Sequence, residues 1–322
     1  MLPLLFSVGL VALLLSQISI NEVIALLAGV SPSWLAVGGL CYVVTNIFRA
    51  FRFAHLLPFR PARFLTLLAI AFALSMFNNV LPSRGGEVTF IYMMQRQHDM
   101  PAGEAAAVLV VARIFDVLAV AALFVVTALL SLSRLPGYAP WIVLTVTLFL
   151  TLTMAVLVAI PWLGQRVLEL LERLLGQRRL KALTISALIL RVSRAAVRAF
   201  QAIRSVRTYA LTGLWSLLIW LGTFVWFWAF LAATGMRTDA AQVIVGATFA
   251  VLSKAIPFIT VGGLGAHEAG WAVGFMLVGF DRRAAIASGF AVNILTLLVS
   301  LLCGGLALIG LLLDQRRKHD II

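Results

Sequence analysis

The chain alternates between long apolar runs and short polar interruptions. Apolar segments run over 2–18, 33–54, 64–81, 104–131, 139–162, 209–234, 241–260, 265–280 and 285–313. A helix rises about 1.5 Å per residue and the hydrocarbon core of a bilayer is about 30 Å thick, so roughly 20 apolar residues make one crossing. Runs of that length fill most of the chain, with room for about seven to nine spans. The pattern predicts an all-α polytopic integral membrane protein, with one transmembrane domain over 1–322. Trp141 and Trp162 stand at the two ends of one segment, where interfacial aromatics belong. The first run, MLPLLFSVGLVALLLSQ, has the apolar core of a signal peptide but no Lys or Arg before it. It reads as a first span, with cleavage as the alternative.

Composition removes the other classes. The chain is 62% hydrophobic and 11% charged, with a mean hydropathy of +1.07. Soluble domains carry about 25% charge, so a soluble enzyme and a disordered chain are both excluded. The net charge of +13 invites a nucleic-acid reading. A basic nucleic-acid domain does not also carry runs of membrane-spanning length, so no nucleic-acid partner is expected. Cys41 and Cys303 lie far apart inside apolar segments and read as small hydrophobes, not as a disulfide or metal motif.

The charge instead sets orientation. Arg49, Arg52, Arg60 and Arg63 cluster after the second segment. The stretch 165–207 holds ten basic residues against Glu169 and Glu172, and Arg316, Arg317 and Lys318 stand near the end. The positive-inside rule places all three clusters in the cytoplasm, which predicts an inner-membrane protein with both termini cytoplasmic. Residues 180–204 read as an amphipathic helix with Arg191, Arg194 and Arg198 along one face. It is either an ordinary cytoplasmic connector or an interfacial helix on an anionic lipid surface.

Counting crossings then exposes a conflict. If 64–81, 104–131 and 139–162 all crossed, the 49–63 and 165–207 loops would lie on opposite sides. Segment 64–81 ends in Asn78, Asn79, Pro82, Ser83, Arg84, Gly85, Gly86 and Glu87, which do not continue through lipid as a helix. It is predicted to enter from the cytoplasm and return as a re-entrant hairpin, a form tolerated only where buried in protein or facing a wet cavity. Segment 241–260 carries Lys254 and Pro257 and runs into Thr260-Val-Gly-Gly-Leu-Gly-Ala-His-Glu268. By parity this second hairpin starts from the opposite face. In each half a Gly-rich turn ends in a glutamate, Glu87 or Glu268, followed 26 or 25 residues later by a polar residue within apolar sequence, Arg113 or Asn293. The expectation is an inverted-repeat helical bundle with two re-entrant hairpins, a transporter architecture.

Three motifs carry candidate chemistry. In Leu81-Pro82-Ser83-Arg84-Gly85-Gly86-Glu87, a helix starting after the proline would point amide N–H groups and a positive dipole end into a cavity. Arg84 adds a fork suited to phosphate, and Glu87 would balance it or take a cation or proton. The plainer alternative is a surface loop with an Arg–Glu pair. In Arg113-Ile-Phe-Asp116, the i,i+3 spacing puts both charges on one face about the middle of an apolar span. A lone charge there costs at least about 2.5–3.5 kcal/mol. Arg113 would help bind an anion with Asp116 orienting it, or the two would form a self-neutralised structural pair. In the third motif Lys254 precedes Gly262, Gly263 and Gly265, whose alternative role is small-residue helix packing. His267 and Glu268 are sequence neighbours, so on a helix they diverge by about 100° and do not form a two-ligand site. HExxH, Walker A, GxGxxG and GxSxG are absent, and no catalytic residue, metal or cofactor is assigned. Glu87 and Glu268 would make an acid/base pair only if the repeat brings them together.

These motifs, Leu81-Pro-x-Arg-x-Gly-Glu87, Arg113-x-x-Asp116 and Gly263-x-Gly-x-x-Glu268, together resemble the lysylphosphatidylglycerol synthase transmembrane region. The likeness covers nearly the whole chain in order and spacing. In multidomain members, the resemblance implies, the membrane part flips a lipid with an aminoacylated head group that a soluble C-terminal domain makes. Stand-alone members have varied associations, including hopanoid and polyprenyl-linked lipid pathways. This chain stops at Ile322, a few residues past its last span, so lysyl transfer is not expected here.

The expected function is a lipid flippase moving a phosphate-bearing, anionic or zwitterionic lipid across the cytoplasmic membrane. Arg84, Gly85, Gly86, Glu87, Arg113, Asp116, Lys254, Gly263, Gly265 and Glu268 are its expected substrate-binding residues. The rivals are a membrane-embedded lipid-modifying transferase and a scaffold of a lipid-synthesis system, and a homo-oligomer is compatible with each.

Overall fold

A computed structural model describes residues 2–57, 63–81, 85–134, 137, 139–155, 206–255 and 263–319. Arg84, Pro257, Thr260, Gly262, Trp162, the amphipathic stretch 180–204 and all of the basic stretch 165–207 except its last two residues lie outside them. Among the described residues the fold is all-helical, as expected of a polytopic membrane protein. The helices are α1 (Leu2–Leu15), α2 (Ile20–Ala28), α3 (Pro32–Leu56), α4 (Phe64–Val80), α5 (Gly85–His98) and α6 (Ala102–Ser131). They continue as α7 (Ala139–Ala155), α8 (Val206–Ala233), α9 (Ala240–Ala255), α10 (Ala266–Leu277) and α11 (Arg282–His319). Among the described residues α3, α6, α8 and α11 are long and apolar enough to cross a membrane.

The shorter helices follow the sequence pattern, with one difference. Segment 2–18 is not one straight helix of spanning length: α1 ends at Leu15 and meets α2 at a bend of 85°. The 14 residues of α1 rise only about 21 Å, short of a bilayer core. Ser19 caps the start of α2, its hydroxyl accepting from the Asn21 amide while Glu22 reaches back to the Ser19 amide. At the C-terminus Arg316, Arg317 and Lys318 follow the apolar stretch Arg282–Leu313 and continue α11 as helix.

Helices α4 and α9, of 17 and 16 residues, are each followed by a short partner helix that packs back on them. The arms approach closely because glycine sits where any Cβ would collide. A Cβ on Gly86 would stand 2.6 Å from the Leu74 carbonyl in α4, and one on Gly270 2.6 Å from the Phe249 carbonyl in α9. A Cβ on Gly274 would run into the Gly246 carbonyl. The long helices pack around these hairpins reciprocally. Helix α4 lies on α11, α9 lies on α6, and α3 and α8 share the most extensive interface. That interface is tight because Gly38 faces Phe230 and Gly222 faces Thr45. Two apolar clusters result. Phe53, Leu67, Ile70, Phe90 and Met94 join α3, α4 and α5. Phe124, Phe227, Phe230, Trp271 and Phe275 join α6, α8 and α10.

Candidate functional site

Helix α3 carries two polar stripes in its apolar length. Tyr42, Asn46 and Arg49 recur at i, i+4 and i+7, and so share a face; Thr45 and Arg52 follow beside it. A charged group in a spanning helix turns toward protein or a wet cavity, because lipid gives it no partner. Arg49 Nη1 donates to Asn46 Oδ1 at 3.1 Å and to Ser75 Oγ of α4 at 2.6 Å. Ser75 in turn donates to Asn46 Oδ1 at 2.8 Å, and Asn46 Nδ2 to the Tyr42 carbonyl at 2.9 Å. This knot joins α3 to the short helix α4.

Arg52 is 3% exposed and completes a second knot. Its Nη1 donates to Asp116 Oδ1 at 2.5 Å and to Ser216 Oγ at 3.0 Å. Trp220 Nε1 donates to the same Asp116 oxygen at 3.1 Å. Arg113 reaches Asp116 Oδ2 at 3.5 Å, but its tighter bond is from Nε to Glu87 Oε1 at 2.9 Å. The expected i,i+3 pair therefore exists, yet each member is held more closely by a distant partner. Asp116 ties α3, α6 and α8 together. Arg113 ties α6 to the first turn of α5.

The corresponding turn of the second half is drier. Glu268, 1% exposed, accepts from the Gly265 amide at 2.7 Å and from Asn293 Nδ2 of α11 at 2.6 Å. The first bond satisfies an N–H at the start of α10 that has no helical partner. His267 parts from it as its helical position requires. Its ring is buried between Phe227 and Trp271, at centroid distances of 6.1 and 5.6 Å. Gly263 and Gly265 have φ of +79° and +83°, so the turn needs glycine for its backbone, and the close neighbours Lys254 and Leu10 leave no room for a Cβ either. Gly265 lies against Ser7 and Leu10 of α1, which covers this end of the hairpin.

A cavity of about 400 Å³ opens between the two hairpins and the long helices. Arg49, Arg52, Ser75, Asn78, Arg113, Asp116, Trp220, Lys254, Gly263 and His267 are on its wall, with Phe53, Trp226 and Phe227 among its apolar lining. Of the residues expected from sequence, Arg113, Asp116, Lys254 and Gly263 come together here. Glu87 reaches the wall through Arg113, while Gly85 and Gly86 set the α4–α5 contact. Gly265 and Glu268 support the α10 start behind it, and Arg84 is outside the described residues. Sequence reasoning assigned Arg49 and Arg52 to a cytoplasmic loop, whereas both are helical and turn inward. The signal was present: Asn46, Arg49 and Arg52 repeat the i,i+3 spacing that singled out Arg113 and Asp116.

Among the described residues no group of three or more His, Cys, Asp or Glu stands together as a metal site. No curated protein matches the chain at a significant level. The sequence profile of the lysylphosphatidylglycerol synthase TM region matches residues 1–304, which contain every described residue on the cavity wall, and the chain belongs to that family.

Proposed function

We propose that this protein is a lipid translocase that moves a phosphate-bearing head group through the cavity while the acyl chains stay in the bilayer. The observation that carries the reading is a cavity of about 400 Å³ within membrane helices, walled among the described residues by Arg49, Arg52, Arg113 and Lys254 against one carboxylate, Asp116. Ionisable groups at such depth are costly and mark substrate paths. The volume is within the range of small-ligand sites, about 300–1,000 Å³, so it suits a head group and not a whole lipid.

The reciprocal packing of α4 on α11 and α9 on α6 supports two inverted halves. The hairpins α4–α5 and α9–α10 would then be re-entrant elements from opposite faces, moving against one another during alternating access. Arg113 and Lys254 would meet the phosphate from the two hairpin sides. The positive-inside pattern favours the cytoplasmic membrane with both termini inside, and the basic 165–207 stretch would rest on anionic lipid.

The test is reconstitution into liposomes with a leaflet-specific readout. Fluorescent phosphatidylglycerol should become accessible to a membrane-impermeant quencher faster than in protein-free vesicles. Arg113→Ala should abolish that acceleration. Failure of any phospholipid or polyprenyl phosphate to move, or transport intact in Arg113→Ala, would count against the proposal.

A further inference from the structure

The charges around the cavity pair off with one left over. Arg52 is held by Asp116 at 2.5 Å, and Arg113 by Glu87 at 2.9 Å. Lys254 lies within electrostatic range of Glu268. Arg49 alone makes no ion pair among the described residues; its two partners, Asn46 and Ser75, are neutral. Both bonds use Nη1, so the Nε–Nη2 edge of its guanidinium carries no hydrogen bond among the described residues. That edge is the planar fork that fits two oxygens of a phosphate.

The same count bears on the opposite charge. Asp116 accepts from Arg52 and Trp220 on one oxygen and from Arg113 on the other, so both of its oxygens are engaged. An ammonium brought into this space would meet surplus positive charge and no uncommitted carboxylate on the described wall. In a site of low dielectric, like charges at close range cost far more than in water.

We infer that the cavity selects head groups of net negative charge, that Arg49 joins Arg113 and Lys254 in meeting their phosphate, and that the site discriminates against aminoacylated, cationic head groups. The inference rests on the translocation reading and narrows its substrate class. Asn46 and Ser75 act as positioning residues: they fix one corner of the Arg49 guanidinium on the cavity wall and use neither Nε nor Nη2.

The experiment measures binding separately from movement. The purified full chain in detergent is offered an equimolar mixture of phosphatidylglycerol, lysylphosphatidylglycerol and phosphatidylcholine with matched acyl chains, and retained lipid is read by native mass spectrometry. Phosphatidylglycerol should be retained over lysylphosphatidylglycerol by about tenfold or more. Arg49→Gln, which keeps a donor for Ser75, should bring phosphatidylglycerol down to the phosphatidylcholine level. Arg49→Lys should keep the preference in reduced form, and this checks that loss in the glutamine variant is not misfolding. Equal or greater retention of the lysyl lipid by the native protein would overturn the inference. So would an unchanged preference in Arg49→Gln. Displacement of phosphatidylglycerol by millimolar inorganic phosphate as complete as by excess lipid would reassign the site to a soluble anion and overturn it as well. Selective binding without leaflet movement would sink the translocase and leave this inference standing. Movement without selectivity would do the reverse.

Discussion

Arg113 Nε donates to Glu87 Oε1 at 2.9 Å, across 26 residues of chain and from one helix to the next. Its counterpart in the second half is Asn293, which donates to Glu268 at 2.6 Å across 25 residues. Each pair pins the first turn of a hairpin's second arm to the long helix that follows. The two differ in charge and in water: Arg113 and Glu87 are 34% and 31% exposed at the side chain, while Glu268 is sealed in. The exposed pair is suited to break and re-form around a substrate. The sealed pair is suited to hold.

That difference predicts unequal coupling. For Arg113 and Glu87, the double-mutant cycle through Arg113→Gln and Glu87→Gln should give a coupling of about 1 kcal/mol or less, because water and salt reach the pair. Thermal unfolding in detergent at low and high ionic strength checks it, and the coupling should shrink with salt. A coupling of several kcal/mol that ignores salt would show the pair to be a buried structural lock.

Asn293→Leu should be worse for the fold. It leaves a Glu268 oxygen buried without its donor, which costs about 1–3 kcal/mol, more if the carboxylate stays charged. Asn293→Asp should destabilise further at neutral pH by setting two carboxylates together. The order of melting temperatures, native above Leu above Asp, is the measurement. An Asp variant as stable as the native protein would mean that Glu268 is not ionised there.

How much of this was legible beforehand depends on what each residue's signal rests on. The long helices α3, α6, α8 and α11 follow from apolar length alone, because backbone polar groups in lipid must bond internally. The repeated spacing of Glu87 to Arg113 and of Glu268 to Asn293 was visible, but it was read as a repeat and not as two bonds, because i,i+3 neighbours offered Glu87 and Arg113 nearer partners. Arg49 and Arg52 were misread because a helix end and a cytoplasmic loop look alike by charge, and only packing tells which way a guanidinium turns. The bend between α1 and α2 was missed because the apolar run 2–18 was read as one helix, whereas α1 stops at Leu15 and a new helix is capped by Ser19 just after the run. The exchange of partners around Asp116 involves residues 64 and 104 positions away, which local periodicity does not reach.

Asp116 should prove the most sensitive single carboxylate. Asp116→Asn would leave Arg52 buried without a counter-charge, a loss of about 3–5 kcal/mol if the site stays dry. Replacing both partners, Arg52→Met with Asp116→Leu, should recover much of that stability, since the ion pair itself adds little beyond what desolvation takes. Thermal unfolding separates the cases. The double variant should fold but not translocate if the knot positions Arg113. A double variant no more stable than Asp116→Asn alone would show that the geometry of the knot, and not its unbalanced charge, holds α3, α6 and α8 together.

The closest backbone approach in the hairpins gives the sharpest packing prediction. A Cβ on Gly274 would overlap the Gly246 carbonyl, and backbone cannot swing aside as a side chain does. Gly274→Ala must therefore push α10 away from α9, with Trp271 and Phe275 losing their fit beside it. Over-packing of this kind costs about 1–3 kcal/mol or more. Gly305 in α11 is the control, because a Cβ there meets nothing within 4 Å. Gly305→Ala should be neutral or stabilising by up to about 1 kcal/mol, through helix propensity alone. Fluorescence-detected size exclusion after a temperature ramp would read both. Equal melting of Gly274→Ala and Gly305→Ala would mean that the α9–α10 arms are not packed backbone to backbone. It would also remove the support they give to His267 on the cavity wall.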